Sequence, residues 1–196
     1  RGKQTFRKKK KIGILGEIGS GKSYVAKKFG YPVFDADKEV SNLYKKDKKI
    51  FSKLKKILPR YFNEFPINKR DVVTAILDKE NNLKKIIKIV HYEIKKKMKI
   101  FLKHNRDKKF VIFDIPLLLE NKINKKGDIL IYIDSRKKAV FKRLKKRRNF
   151  DYKLFRKFKN VQLPLDYKKK KSRFIIKNDF TKKTVTKYVK YILQQI

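Results

Sequence analysis

Several residue types are missing or rare, and each shortage excludes a class of chemistry. The 196 residues include no cysteine and only two histidines. Disulfide frameworks and thiolate metal sites are therefore excluded, and a zinc site is not expected. No apolar run reaches the roughly 18 residues that a membrane span needs, and no signal-peptide pattern is visible. We expect an intracellular protein, located in the cytoplasm or in the mitochondrial matrix. The matrix is included because the chain begins at Arg1, and a transit peptide is one explanation for that start.

Acidic residues are also scarce. Eighteen Asp and Glu stand against 59 Lys and Arg, which gives a formal net charge of +41. An ordinary domain balances its charges closely. A lysine bias of an AT-rich genome explains such an excess, and so does a surface that binds RNA through counterion release. Composition leaves both explanations open.

Apolar residues are present in normal amount, with 40% hydrophobic and 13% aromatic residues, which is enough for the core of one domain. Short apolar runs alternate with stretches of helical periodicity, and this alternation is typical of a parallel α/β sheet with helices on both faces. A helical stretch over about 37–104 separates the second strand from the third, and Pro59, Pro66 and "DKENN" at 78–82 divide it into separate helices. A second, basic helical stretch covers 136–160. The predicted strands are 12–15, 32–35, 110–115, 128–133 and 173–177.

The stretch "GEIGSGKS" carries the clearest chemical signal. Gly16, four residues, and then Gly21, Lys22 and Ser23 match the P-loop pattern between a predicted strand and a predicted helix. In such a loop the backbone N–H groups face phosphates, the lysine reaches the β- and γ-phosphates, and the hydroxyl binds Mg²⁺. A purely structural glycine turn is the alternative, but the strand and helix on either side favour an ATP-binding loop.

Two carboxylates follow the second predicted strand, in "FDADKE". Asp35 and Asp37 are expected at the carboxyl edge of the sheet, where open α/β sheets bind ligands. One carboxylate is expected to accept a hydroxyl proton and the other to orient Mg²⁺ or substrate. The alternative is that Asp37 only caps the helix that follows.

Six blocks in order resemble the dephospho-CoA kinase family: "GEIGSGKS", "DAD", "VHYEI", "FDIPLLLE", "RLKKR" and "QLPLDYKKKKSRFIIKND". The resemblance covers about residues 11–178. It implies a P-loop kinase fold with a five-stranded parallel sheet, a helical substrate-binding insert and a lid over about 143–160. We expect residues 1–10 to form a basic extension and residues 11–196 to form a single domain. The implied reaction is transfer of the ATP γ-phosphate, with Mg²⁺, to the ribose 3′-hydroxyl of dephospho-CoA.

The same resemblance assigns roles to individual residues. Asp37 is the implied general base, with Lys22, Arg143 and Arg147 as further catalytic residues. Asp114 and Ser23 are the implied metal ligands. The implied ATP-binding residues are Gly16, Gly19, Ser20, Gly21, Lys22, Ser23, Tyr24 (where the family usually has Thr), Gln162 and Asn178. The implied substrate-binding residues are Asp35, Arg70, His91 and Glu120.

A function of another class stays open beside this one. A kinase-fold subunit of a ribonucleoprotein, such as a mitochondrial ribosome, has reason to carry a strongly basic surface against ribosomal RNA. A fold does not guarantee its ancestral activity. His91 is then a histidine at the edge of a packed helix stripe, and Arg143 and Arg147 belong to a solvated basic face.

Overall fold

The computed structural model describes residues 10–196. The predicted N-terminal extension lies outside the described residues except for Lys10, which is the first residue of a strand. Within residues 10–196, no helix is long and apolar enough to cross a bilayer.

The centre of the fold is an all-parallel sheet. Its strands occur within three residues of the predicted bounds, because continuous apolar runs mark strands that are buried on both faces. The spatial order is β2-β3-β1-β4-β5, and each neighbouring pair is parallel. The strands are β1 (Lys10–Gly16), β2 (Val33–Asp35), β3 (Phe110–Asp114), β4 (Ile129–Ser135) and β5 (Phe174–Asn178).

Helices cover both faces of this sheet. The predicted breaks at Pro59, Pro66 and residues 78–82 are confirmed, since one helix ends at Ile57, the next covers Lys69–Asp78 and a third begins at Asn82. The helices are α1 (Lys22–Lys28), α2 (Ala36–Lys46), α3 (Lys48–Ile57), α4 (Lys69–Asp78), α5 (Asn82–His104), α6 (Lys137–Lys145), α7 (Tyr152–Asn160), α8 (Leu165–Lys171) and α9 (Lys182–Gln195).

Alternating side chains of the strands divide the core into two clusters. Ile12 and Ile14 of β1 pack with residues of α1 and α9 on one face. Leu15 of the same strand packs with residues of α2 to α5 on the other face, where Leu154 and Phe158 of α7 also reach the cluster. The two clusters hold β1 in the middle of the sheet, so the loop that follows β1 leaves between the carboxyl ends of β3 and β4. Ligands bind at this edge in open α/β sheets.

Candidate active site

The loop between β1 and α1 has the backbone that a phosphate-binding loop requires. Gly21, the residue before α1, has φ 93° and ψ 19°, a left-handed conformation that favours glycine. A Cβ on Gly21 would lie 2.6 Å from Asn178 Nδ2. Glycine is therefore required here both by the backbone angle and by the close approach of Asn178.

Two side chains at the ends of β4 and β5 hold the loop in place by hydrogen bonds. The carbonyl oxygen of Ser20 accepts hydrogen bonds from Ser135 Oγ at the end of β4 and from Asn178 Nδ2 at the end of β5, each at 2.9 Å. Asn178 Oδ1 in turn accepts from the Phe180 N–H at 2.9 Å. Both ends of the Asn178 amide are thus hydrogen-bonded, and the Nδ2 end positions the loop. The contact of Asn178 with a nucleotide base stays a prediction.

The Lys22 side chain hydrogen-bonds to the backbone of the loop. Its Nζ donates to the carbonyl oxygens of Glu17 at 2.8 Å and Gly16 at 3.2 Å. Burial lowers the Lys22 pKa to about 8, the charge of Asp114 opposes this shift, and the positive charge of Lys168 adds to it. The ammonium therefore lies in a poorly solvated place, where an anionic ligand would stabilise it.

Asp35 and Asp114 end neighbouring strands at the same level, since they are register partners of β2 and β3. Asp114 is buried, and this burial raises its pKa, whereas a hydrogen bond from Ser23 and the charge of Lys22 oppose the rise. The predicted hydroxyl and carboxylate of a metal site thus lie together. Hard oxygen donors of this kind suit Mg²⁺, which is usually held by one or two carboxylates together with substrate phosphates and water.

Asp37 lies in the first turn of α2 and is accessible to solvent. The alternative that Asp37 caps α2 is wrong, because Asp35 is the N-cap and its Oδ1 accepts from the Lys38 N–H at 3.0 Å. Partial desolvation of the carboxyl raises the Asp37 pKa, and the charges of Asp114 and Asp35 raise it further. A carboxylate that is free of capping and has a raised pKa is suited to accept a proton.

Glu120 contacts α8 and the segment that leads into it. Its Oε1 accepts from the Leu163 N–H at 2.9 Å and lies 2.5 Å from Lys168 Nζ. Its Oε2 is buried without a hydrogen-bond partner among the described residues. Gln162, the neighbour of Leu163, lines a cavity with Glu17 and Ile18 of the phosphate loop.

Of the two predicted lid arginines, one is placed beside the phosphate loop. The Arg143 guanidinium stacks over the Phe180 ring at 4.4 Å from its centroid, and that ring lies 3.5 Å from the position of a Cβ on Gly21. Arg147 lies in the turn between α6 and α7 with its side chain exposed. Tyr24 is also exposed, and Lys28 Nζ lies 5.2 Å from its ring centroid.

Arg70 and His91 lie on the helical insert. Arg70 is exposed in the first turn of α4. His91 on α5 has a buried Nε2 without a hydrogen-bond partner in the described part of the chain, and burial together with the charge of Lys95 lowers its pKa. Within residues 10–196, no hydrogen bond or ion pair joins either side chain to the phosphate loop, so the contact of Arg70 and His91 with substrate stays a prediction.

Sequence reasoning missed Lys168 and Phe180. Lys168 is the first residue of the run "KKKK", and composition does not distinguish it from the other lysines of that run. The one sequence signal of its burial is its spacing of three residues from Leu165, which places both on one face of α8. Phe180 has φ 66°, a backbone conformation that no local pattern indicates for phenylalanine.

Comparison with known proteins agrees with this geometry. The sequence model of the dephospho-CoA kinase family matches residues 10–184. A dephospho-CoA kinase from Wolbachia of Brugia malayi is 34% identical over 190 residues, covering 94% of this chain and 97% of the relative.

Solved structures show the same fold. A Thermus thermophilus protein, TT1252, superposes with a TM-score of 0.79 at 22% identity, over 97% of this chain and 99% of the other. Dephospho-CoA kinase from Campylobacter jejuni gives a TM-score of 0.61 at 20% identity, over 95% and 97% of the two chains. The match of the family model over most of the chain, together with the 34% identity to the Wolbachia enzyme, shows that the protein belongs to the dephospho-CoA kinase family.

Proposed function

We propose that this protein transfers the γ-phosphate of ATP to the ribose 3′-hydroxyl of dephospho-CoA. The observation that carries the proposal is the grouping of Lys22, Asp37 and Asp114 at the carboxyl edge of the sheet, where the charge of each shifts the pKa of another. This grouping occurs in a chain of the dephospho-CoA kinase family.

The phosphate loop supplies the donor side of the reaction. Its N–H groups and Lys22 hold the β- and γ-phosphates, and Ser23 and Asp114 are the residues that would hold Mg²⁺. The metal ion, when bound, offsets charge on the phosphate oxygens. Gly16, Gly19 and Ser20 shape the loop, while Tyr24, Gln162 and Asn178 surround the nucleotide.

Asp37 supplies the acceptor side. Its carboxylate takes the proton of the 3′-hydroxyl as the hydroxyl oxygen attacks the γ-phosphorus, and ADP departs with the bridging oxygen. Arg143 and Arg147 stabilise the charge on the transferring group when the lid over 143–160 closes. Asp35, Arg70, His91 and Glu120 bind dephospho-CoA between the core and the insert.

The alternative of an RNA-contacting ribonucleoprotein subunit receives no support from the comparisons, since the relatives described above are kinases or share the kinase fold. A cytoplasmic location agrees with relatives of bacterial origin. We therefore assign the basic excess no RNA partner in this proposal.

Product formation tests the proposal directly. Purified protein is incubated with ATP, MgCl₂ and dephospho-CoA, ADP release is measured, and the product is identified as the 3′-phosphate by ³¹P NMR. We expect Lys22→Ala and Asp37→Asn each to lower kcat/KM by about 100-fold or more, whereas Lys103→Ala, at the far end of α5, leaves it unchanged. If wild-type protein releases no ADP that depends on dephospho-CoA, the proposed function is rejected.

A further inference from the structure

A buried ion pair joins Glu120 to Lys168 of α8, and Lys168 has no role in the mechanism above. Lys168 Nζ is 2.5 Å from Glu120 Oε1, and the two side chains are 1% and 9% exposed. The next residue makes a pair of the ordinary kind: Lys169 Nζ is 2.8 Å from Asp134, with side chains 43% and 36% exposed. Of two adjacent lysines in "KKKK", one has thus been taken into the interior together with a carboxylate.

Stability alone does not account for this pair. Removing two charges from water is costly, and replacing a buried ion pair by apolar residues of similar volume is often neutral or stabilising. The carboxylate is also incompletely satisfied, because Glu120 Oε2 has no hydrogen-bond partner among residues 10–196. An ion pair that is buried despite this desolvation cost indicates a functional role for its charge.

The position of Lys168 indicates that role. α8 packs against β1, the strand that leads into the phosphate loop. The positive charge of Lys168 is one of the causes that lower the Lys22 pKa, after burial. Glu120 Oε1 also accepts the Leu163 N–H at 2.9 Å, so the carboxylate that holds Lys168 is itself fixed by the segment that leads into α8.

We propose that Lys168 is a positioning residue of the phosphate site: Glu120 holds its ammonium on the helix that packs against β1, where its positive charge adds to that of Lys22 and favours the β- and γ-phosphates of ATP. The inference rests on the proposed function only in taking ATP as the donor. Lys22 contacts the phosphates, and Lys168 acts through the electrostatic potential at the loop. Its contribution therefore grows with the number of phosphates on the nucleotide.

Isothermal titration with ATP, ADP and AMP, without any acceptor, tests this inference. In Lys168→Met we expect the Kd for ATP to rise by about tenfold, the Kd for ADP to rise less, and the Kd for AMP to stay unchanged. Lys168→Arg keeps the charge and should retain ATP affinity within about twofold. Lys169→Met is the matched control, since it removes the adjacent exposed lysine, and we expect it to behave as wild type.

A double variant separates charge from packing. Lys168→Met leaves Glu120 buried and unpaired, so a loss of folding in that variant is expected to be relieved in Lys168→Met/Glu120→Gln, which has no buried charge. The charge role predicts that the folded double variant still binds ATP about tenfold more weakly than wild type. Recovery of wild-type ATP affinity in the double variant, or an equal loss for AMP and ATP, would overturn the inference.

The outcome is independent of the acceptor. A protein that does not turn over dephospho-CoA but shows the graded loss from ATP to AMP retains the inference and rejects only the proposed acceptor. A protein that turns over dephospho-CoA with Lys168→Met at wild-type ATP affinity retains the proposed function and rejects the inference. Absence of ATP binding by wild-type protein rejects both.

Discussion

Two aspartates that are two residues apart have different environments at the end of β2. Asp35 is tied to the backbone as the N-cap of α2, whereas Asp37 is free of capping and has a raised pKa. The negative charge of Asp35 is one cause of that raised pKa, after partial desolvation of the Asp37 carboxyl and the charge of Asp114. Asp35 therefore helps to set the basicity of its neighbour in addition to starting the helix.

This coupling gives a pH prediction. A general base is active when ionised, so kcat/KM is expected to fall as pH drops through the pKa of Asp37, which lies above its ordinary value of 3.8. Asp35→Asn keeps an N-cap but removes one negative charge, which lowers the Asp37 pKa. We expect the acid limb of kcat/KM against pH to move to lower pH in this variant.

The control is another helix cap of the same kind. Asp47 caps α3 and accepts from the Lys49 and Ile50 N–H groups, so Asp47→Asn changes charge and cap equally but away from the site. Its acid limb should match that of wild type. An unmoved limb in Asp35→Asn would show that Asp35 does not act on the titrating group.

Glycine 21 gives a second prediction at the scale of single residues. A Cβ there would meet Asn178 Nδ2 at 2.6 Å, whereas a Cβ on Gly30, with φ 71°, would meet nothing within 4 Å. Both positions are left-handed, so alanine should cost about 1–3 kcal/mol of unfolding free energy at either. Only Gly21→Ala should also weaken ATP binding, because Asn178 fixes Ser20 of the loop.

Thermal unfolding and ATP titration of the two variants check this expectation. Gly30→Ala provides the cost of backbone strain without the clash. Equal ATP affinity in the two variants would contradict the bracing role of Asn178.

At the scale of elements, α5 has an unfavourable charge arrangement at one end. Its first turn contains no acidic residue, whereas Lys103 and His104 lie in its last turn. Positive charge is favourable at a helix C-terminus and unfavourable at an N-terminus. Lysines therefore occur at both ends of α5, although the helix dipole favours positive charge only at the C-terminal end.

Two substitutions of equal charge separate the dipole from the net charge. Lys84→Glu in the first turn and Lys103→Glu in the last turn of α5 each replace one positive charge by one negative charge on an exposed side chain. We expect Lys84→Glu to have a higher Tm than Lys103→Glu. The corresponding difference in unfolding free energy is about 0.5–2 kcal/mol. The reverse order in calorimetry would contradict the dipole argument.

The elements that were predicted well are those whose signal is local. The strands follow from continuous apolar runs, the helix breaks from Pro59 and Pro66, and the phosphate loop from its glycines. Each of these features depends on residues close together in the chain.

The features that were missed depend on distant contacts. Lys168 becomes buried only because Glu120, 48 positions earlier, is brought against α8. Phe180 becomes part of the site through its approach to Gly21 and through the stacking of Arg143 of α6 on its ring. The order of the strands likewise depends on which hydrophobic faces meet, and a chain pattern with period 2 or 3.6 does not encode that choice.

At the scale of the whole molecule, the net charge of +41 is the dominant physical feature. Like charges on one surface repel and destabilise the compact state. A solvent-accessible ion pair such as Lys169–Asp134 offsets little of this repulsion. Part of the folding free energy is therefore opposed by electrostatics at low ionic strength.

Salt should consequently stabilise this protein. The screening length falls from about 30 Å at 0.01 M to about 8 Å at 0.15 M ionic strength, which removes repulsion between separate parts of the surface. We expect the Tm to rise between these two KCl concentrations, by about 2–4 °C for each kcal/mol of repulsion screened. KCl is used because phosphate or sulfate would also stabilise by binding at the loop.

The two α5 variants extend this test to the origin of the effect. Each lowers the net charge from +41 to +39, since a lysine becomes a glutamate, and the salt-induced rise in Tm should be smaller in both than in wild type. The difference between Lys84→Glu and Lys103→Glu should also shrink in 0.15 M KCl, because the dipole interaction at an exposed helix end is screened. A Tm that is flat or falls with KCl would mean that local ion pairs, and not general repulsion, dominate the electrostatics of this surface.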